Sequence, residues 1–131
     1  MLLAAFLGSI SCGGDDVLAP PPGIEPTLTS IQTSVFTPSC ALPGCHAPPS
    51  PQRGMDLSEG MAHANVVNVP SGEQPQLNRV TPANPNDSYL YMKVTGDPRI
   101  LGSRMPRGAA PLTSEALEAI RSWIESGALD N

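Results

Sequence analysis

Two cysteines and a histidine in the stretch Cys40-Ala41-Leu42-Pro43-Gly44-Cys45-His46 are the residues of this chain whose types and spacing most clearly offer chemistry. A pair of thiols followed directly by an imidazole is the attachment pattern of a c-type haem. Each thiol can add across one porphyrin vinyl group, and two thioethers then fix the ring to the chain. His46 is held close under the iron and can supply the proximal nitrogen. The common spacing has two residues between the cysteines, whereas this chain has four. The extra pair must loop out, and Pro43-Gly44 is a turn-favouring dipeptide suited to that.

Other chemistry is open to the same residues. Cys40 and Cys45 can pair as a disulfide if the chain is exported to an oxidising compartment. Cys40, Cys45, His46 and the only other histidine, His63, are also zinc-type ligands. Zinc would require adjacent Cys45 and His46 to converge on one small tetrahedral centre. His63 itself reads as a surface residue rather than a ligand. The proximal histidine of a haem donates its second ring nitrogen to a carbonyl, and the carbonyls of Pro48 and Pro49 are the nearest candidates along the chain.

A second axial ligand must come from elsewhere. Gly102-Ser103-Arg104-Met105-Pro106-Arg107-Gly108 reads as a loop with a methionine at its middle. Pro106 disfavours the helical region for Met105 and pushes it extended. A loop-borne thioether of this kind suits a sixth iron ligand. Met1, Met55, Met61 and Met92 have ordinary leader or packing readings.

The elements that must position these groups are short. Leu28, Ile31, Val35 and Phe36 fall at helical spacing, which predicts a helix capped by Thr29 or Ser30 that delivers the chain to Cys40. The run after His46, Ala47-Pro48-Pro49-Ser50-Pro51, can be neither helix nor central strand. A short helix leading into extended chain is predicted over 62–69. Asn84-Pro85-Asn86-Asp87-Ser88 is a helix-start cluster, followed by a two-turn helix with Leu90 and Val94 inward and a stop at Gly96. Residues 113–126 make the strongest helix, with Glu115 in the first turn, Gly127 as the stop, and Leu117, Ile120, Trp123 and Ile124 on one apolar face.

Ahead of the domain, Met1 to Ser11 is an apolar run too short to span a bilayer but suited to a secretory signal. Cys12 closes it, which resembles a bacterial lipoprotein signal with Cys12 lipidated, although no Lys or Arg precedes the run and Ser9 stands where Leu is usual. Residues 1–12 are thus read as signal and lipobox. Residues 13–27, with Pro20-Pro21-Pro22-Gly23, form a solvated tether, and residues 28–131 form one domain. Aromatic residues are only 4% of the chain, and Pro with 16 and Gly with 12 make it loop-rich. Such a domain needs something besides its own side chains to pack around, and a covalent haem disc supplies it.

From about Leu28 to Ala128 the chain resembles the monohaem cytochrome c family, in bacterial forms with four residues between the haem cysteines. The resemblance rests on Cys40, Cys45 and His46, on Arg104-Met105-Pro106, on the Asn84–Tyr91 stretch, and on the terminal helix around Trp123. It implies an all-α, cytochrome c-like domain of short helices and long loops wrapped around one covalent haem c. Its first and last helices would cross, bringing Phe36 near Trp123. It further implies thioethers at Cys40 and Cys45, axial ligation by His46 and Met105, and export to the periplasmic side, with a lipid anchor at Cys12 in a bacterial membrane.

The function expected is one-electron transfer to redox protein partners by a monomer that is not an enzyme. His/Met ligation leaves no open iron position and raises the potential. A labile Met105 would instead allow peroxide chemistry, and a disulfide without haem would leave an interaction module. Lys93, Arg99, Arg104 and Arg107 against Asp97 read as a basic docking face, while residues 113–131 carry Glu115, Glu118, Glu125 and Asp130 against Arg121. The uncharged stretch at residues 28–52 is the other candidate docking patch. A net charge of −5 with no basic run argues against nucleic-acid binding.

Overall fold

The computed structural model describes residues 23–131, so the leader, Cys12 and most of the tether lie outside the described residues. The described chain is small and all-α, with short helices, no named strand and only isolated β-bridges.

The first helical run is continuous but changes pitch. An α-turn, α1 (Leu28–Ile31), passes into a π-helical segment, Gln32–Phe36, and then into α2 (Thr37–Ser39). Thr27, rather than Thr29 or Ser30, is the cap: its side chain accepts the Ser30 N–H at 3.2 Å, leaving Thr29 and Ser30 helical. The cap sits one residue before the first inward apolar position because the oxygen must reach an orphan N–H three residues on. Leu28, Ile31, Val35 and Phe36 all turn inward and are buried. Gln32 is buried among them, and its amide donates to the Leu57 carbonyl at 2.8 Å. The packed chain also starts earlier than composition suggests. Ile24 packs on the core, and its N–H donates to Glu115 Oε1 at 3.0 Å.

A 3₁₀ turn (Gln52–Gly54) and α3 (Ala62–Val66) follow the Pro-rich stretch. The chain then makes an excursion over 67–80 and returns, with Val80 N–H donating to Val66 O and Arg79 N–H to Val69 O. A second 3₁₀ turn (Pro85–Asp87) leads through fully buried Ser88 into α4 (Tyr89–Thr95). Gly96 ends α4 in the left-handed region at φ 74°, the usual helix stop. A side chain there would also meet Arg104 Cδ at 3.0 Å, so the Arg104 side chain would have to give by a few tenths of an ångström.

α5 (Ser114–Glu125) is the longest element among the described residues. Thr113 caps it by accepting the Ala116 N–H, and Ala116, Ala119, Ile120, Trp123 and Ile124 form its buried face. Leu117 is only partly buried at the edge of that face. α5 packs against both α1 and α4. Phe36 and Trp123 belong to one buried cluster, as the expected arrangement of first and last helices requires.

Candidate functional site

The loop from Cys40 to His46 is wound tightly. Cys40 N–H donates back to Phe36 O, so the first cysteine is carried on the end of the opening helical run. Cys45 N–H donates to Leu42 O at 2.9 Å, with Gly44 at φ 78° between them. A Pro-Gly pair in the two central positions, the second with positive φ, is a type II turn. His46 N–H then reaches back to Cys40 O at 3.1 Å. The two extra residues are therefore looped out, and the ends of the motif are drawn together. On the far side, Leu57 N–H donates to His46 O and Gln52 N–H to Cys45 O, which binds the motif to the 52–57 segment.

Cys40, His46 and Met105 line one cleft that opens to solvent, with a cavity volume of about 90 Å³. Its walls are apolar: Phe36, Leu57, Leu90, Val94 and Ile120 contribute from the opening helical run, the 52–57 segment, α4 and α5. Trp123 is buried behind this wall and Ile120 is the α5 residue that faces the cleft. Cys45 lies at the exposed end of its loop, and both thiols are free. Burial, with a smaller contribution from Cys45, pushes the Cys40 thiol up to about 11. It is therefore a protonated, apolar-walled thiol rather than a reactive thiolate.

His46 Nδ1 is the one buried side-chain polar atom without a hydrogen-bond partner among the described residues. Burial lowers the pKa of the imidazole, and backbone groups of Met55 and Gln52 raise it part of the way back. The neighbouring backbone is thus that of Met55 and Gln52 rather than Pro48 or Pro49, because the chain turns at Gln52–Gly54 and comes back alongside the ring. A neutral imidazole keeps a lone pair available for a metal.

Met105 is half-buried, packs on the core, and donates its N–H to the Lys93 carbonyl at 2.9 Å. Gly102 and Gly108, at φ 67° and 73°, bound its loop. Met92 is buried in the fold, as its packing reading requires, whereas Met61 is exposed and does not pack. Met55 packs against the core, as its packing reading requires, and it also lines the cleft. It sits on the same segment as the backbone facing His46, however, whereas Met105 arrives from the α4 side. His63 is half-buried rather than on the surface. Its Nε2 pairs with Ala128 O at 2.9 Å, and it lines a different cleft with Leu28, Gln32 and Asp130. The four zinc-type ligands are not gathered, and no cluster of three or more His, Cys, Asp or Glu suited to a metal occurs among the described residues.

One rim of the cleft is polar, and sequence reasoning passed over it. Arg53, Arg79 and Lys93 stand there with a single acid, Glu73. The Arg79 guanidinium donates to the carbonyls of Asn65 and Arg53, both at 2.7 Å. No local pattern marks these residues, which meet only when the 67–80 excursion returns. The proposed basic docking face is also changed by the fold. Lys93 is buried against Glu73, and Arg99 pairs with Asp97 and Asp87. Two of its four cations are thus satisfied internally.

Among the described residues, no helix is long and apolar enough to cross a membrane. Comparison with protein-family models, with curated proteins and with solved structures found no match for the chain.

Proposed function

We propose that this protein is an electron carrier that holds one covalent haem c in the cleft lined by Cys40, His46 and Met105. The observation that carries the reading is this convergence. A thiol and an imidazole from one short motif, and a thioether distant from them in sequence, line one apolar-walled cleft. The orphaned Nδ1 of His46 and the cationic rim fit the same group. An iron-ligating imidazole is usually oriented through its other nitrogen, and a porphyrin bears carboxylates that cations can hold.

When bound, the haem supplies a one-electron iron couple. Cys40 and Cys45 fix the ring as thioethers. His46, neutral by burial, would supply a nitrogen ligand to the iron, and Met105 would supply a thioether. With both axial positions filled by protein, electron transfer is favoured over binding of oxygen or peroxide. Arg53 and Arg79 at the rim would meet the carboxylates, Lys93 being already held by Glu73, while the apolar wall would keep water from the ring face. Export and a lipid anchor at Cys12 complete the reading, because this attachment is made outside the cytoplasm in the family the chain resembles.

The test is a denaturing gel of the exported protein stained for haem, with mass measurement of the intact chain. A covalent haem is expected in the wild type, with one thioether or none in Cys40→Ser and Cys45→Ser. An exported, folded wild type of unmodified mass would overturn the reading.

A further inference from the structure

We propose that Glu73, Lys93 and Tyr89 form a latch that positions Met105 by holding its loop on α4. The proposal rests on the haem reading above and names the groups that regulate access to the iron. Lys93 is only 8% exposed, and a lysine so placed must have its charge matched and its protons engaged. Its Nζ donates to Glu73 Oε2 at 3.1 Å and to the Leu101 carbonyl at 2.7 Å. The Tyr89 hydroxyl donates to the same carboxylate oxygen at 2.8 Å and accepts the Leu101 N–H at 2.9 Å. Both backbone groups of Leu101 are therefore held by α4 side chains anchored on one carboxylate.

Four residues further, the Met105 N–H donates to the backbone carbonyl of the same Lys93, and Arg104 Nε donates to Val94 O at 3.0 Å. The loop is thus fastened to one helix at both of its ends, Leu101 to Tyr89 and Lys93 and the Arg104–Met105 pair to Val94 and Lys93. Apolar burial cannot do this work at its middle, since the Leu101 side chain is 53% exposed and residues 102–104 are exposed as well. Glu73, Lys93 and Tyr89 line the same cleft as Met105. Fastening the loop removes the ordering cost that a free Gly-flanked loop would meet each time its thioether engaged a metal. Glu73, Lys93 and Tyr89 are positioning residues in this scheme, since they act on the iron through Met105.

The experiment compares the full-chain, haem-loaded wild type with Tyr89→Phe and Glu73→Gln. Tyr89→Phe keeps the ring and its packing, so it guards against a variant that fails to fold. Amide exchange at residues 97–105 and the rate of cyanide binding to the ferric protein are measured, with amide exchange in α5 as the internal reference. Both variants are expected to raise exchange at Leu101 and Met105 at least tenfold and to speed cyanide binding at least tenfold, with α5 unchanged. Exchange and cyanide rates within twofold of wild type in both variants overturn the latch. An equal rise in α5 overturns it too, because the network would then be holding the whole fold. A wild type that carries no haem defeats the haem reading instead, and loop exchange still reads the latch in that protein.

Discussion

At the scale of single residues, the cleft offers two methionines, Met55 and Met105, and only the latter comes on a segment separate from His46. The soft thioether favours the ferrous state, so removing the ligand lowers the potential and frees a coordination site. Met105→Ala is expected to abolish the weak sulfur-to-iron(III) band at the red edge of the visible spectrum and to admit cyanide. Met55→Leu, which keeps the volume, is expected to leave the band in place, and loss of the band in Met55→Leu alone would exchange the two roles. The widened cysteine spacing is settled at this scale as well. Gly44 takes the left-handed conformation that a type II turn demands, and the His46 N–H closes the loop on Cys40 O.

At the scale of elements, α5 carries much of the core and the 97–105 loop carries the proposed ligand, and the two are expected to fail under different conditions. Trp123 is fully buried on α5, and Trp123→Ala is expected to cost about 3–5 kcal/mol, read from denaturant midpoints. The loop answers to pH through Glu73. Burial alone would raise its carboxyl, but the Tyr89 hydroxyl, Lys93 and Arg53 outweigh it and hold the group below the usual Glu range. A depressed folded value means that the unfolded or unlatched state binds the proton more readily. The stability it contributes is in place above the ordinary Glu value and is lost as pH falls through the folded one. Amide exchange at Leu101 and Met105 is therefore expected to rise in acid before α5 loosens. Glu73→Gln should flatten that pH dependence.

At the scale of the whole molecule, charge placement bears on how a partner is met. Lys93 and Arg99 are paired within the fold, so the segment that reads as four cations in sequence presents fewer to solvent. Long-range steering depends on unpaired surface charge. Transfer to an acidic redox partner is expected to change little between low salt and about 1 M, where the screening length is about 3 Å. A steep fall with salt would restore the basic face. The uncharged surface around Leu42, which is 40% exposed beside the exposed Cys45, is the alternative contact. Anchoring is read separately: Cys12→Ser is expected to move the protein from the membrane to the soluble fraction on cell fractionation. One acyl chain alone holds only marginally, so full retention in the wild type requires more than one.

What the sequence determined by itself was written in local signals. The Cys40–His46 motif, the turn at Pro43-Gly44, the stop of α4 at Gly96 and the amphipathic face of α5 each depend on residues a few positions apart. Short-range hydrogen bonds and backbone preferences suffice to set them. Even so, the Thr27 cap lies two residues before the nearer expected cap, and Gln32–Phe36 widens to π-helical pitch, since several oxygens compete locally for the same orphan N–H groups. Only the tertiary structure decided which residues share the cleft. Lys93 looks like solvated charge until Glu73, 20 residues earlier, is folded against it. Nothing local links Met55, Arg53 and Arg79 to one cleft until the 67–80 excursion closes. Burial of a charge is stable only when a distant partner arrives to satisfy it, and no local pattern announces that partner.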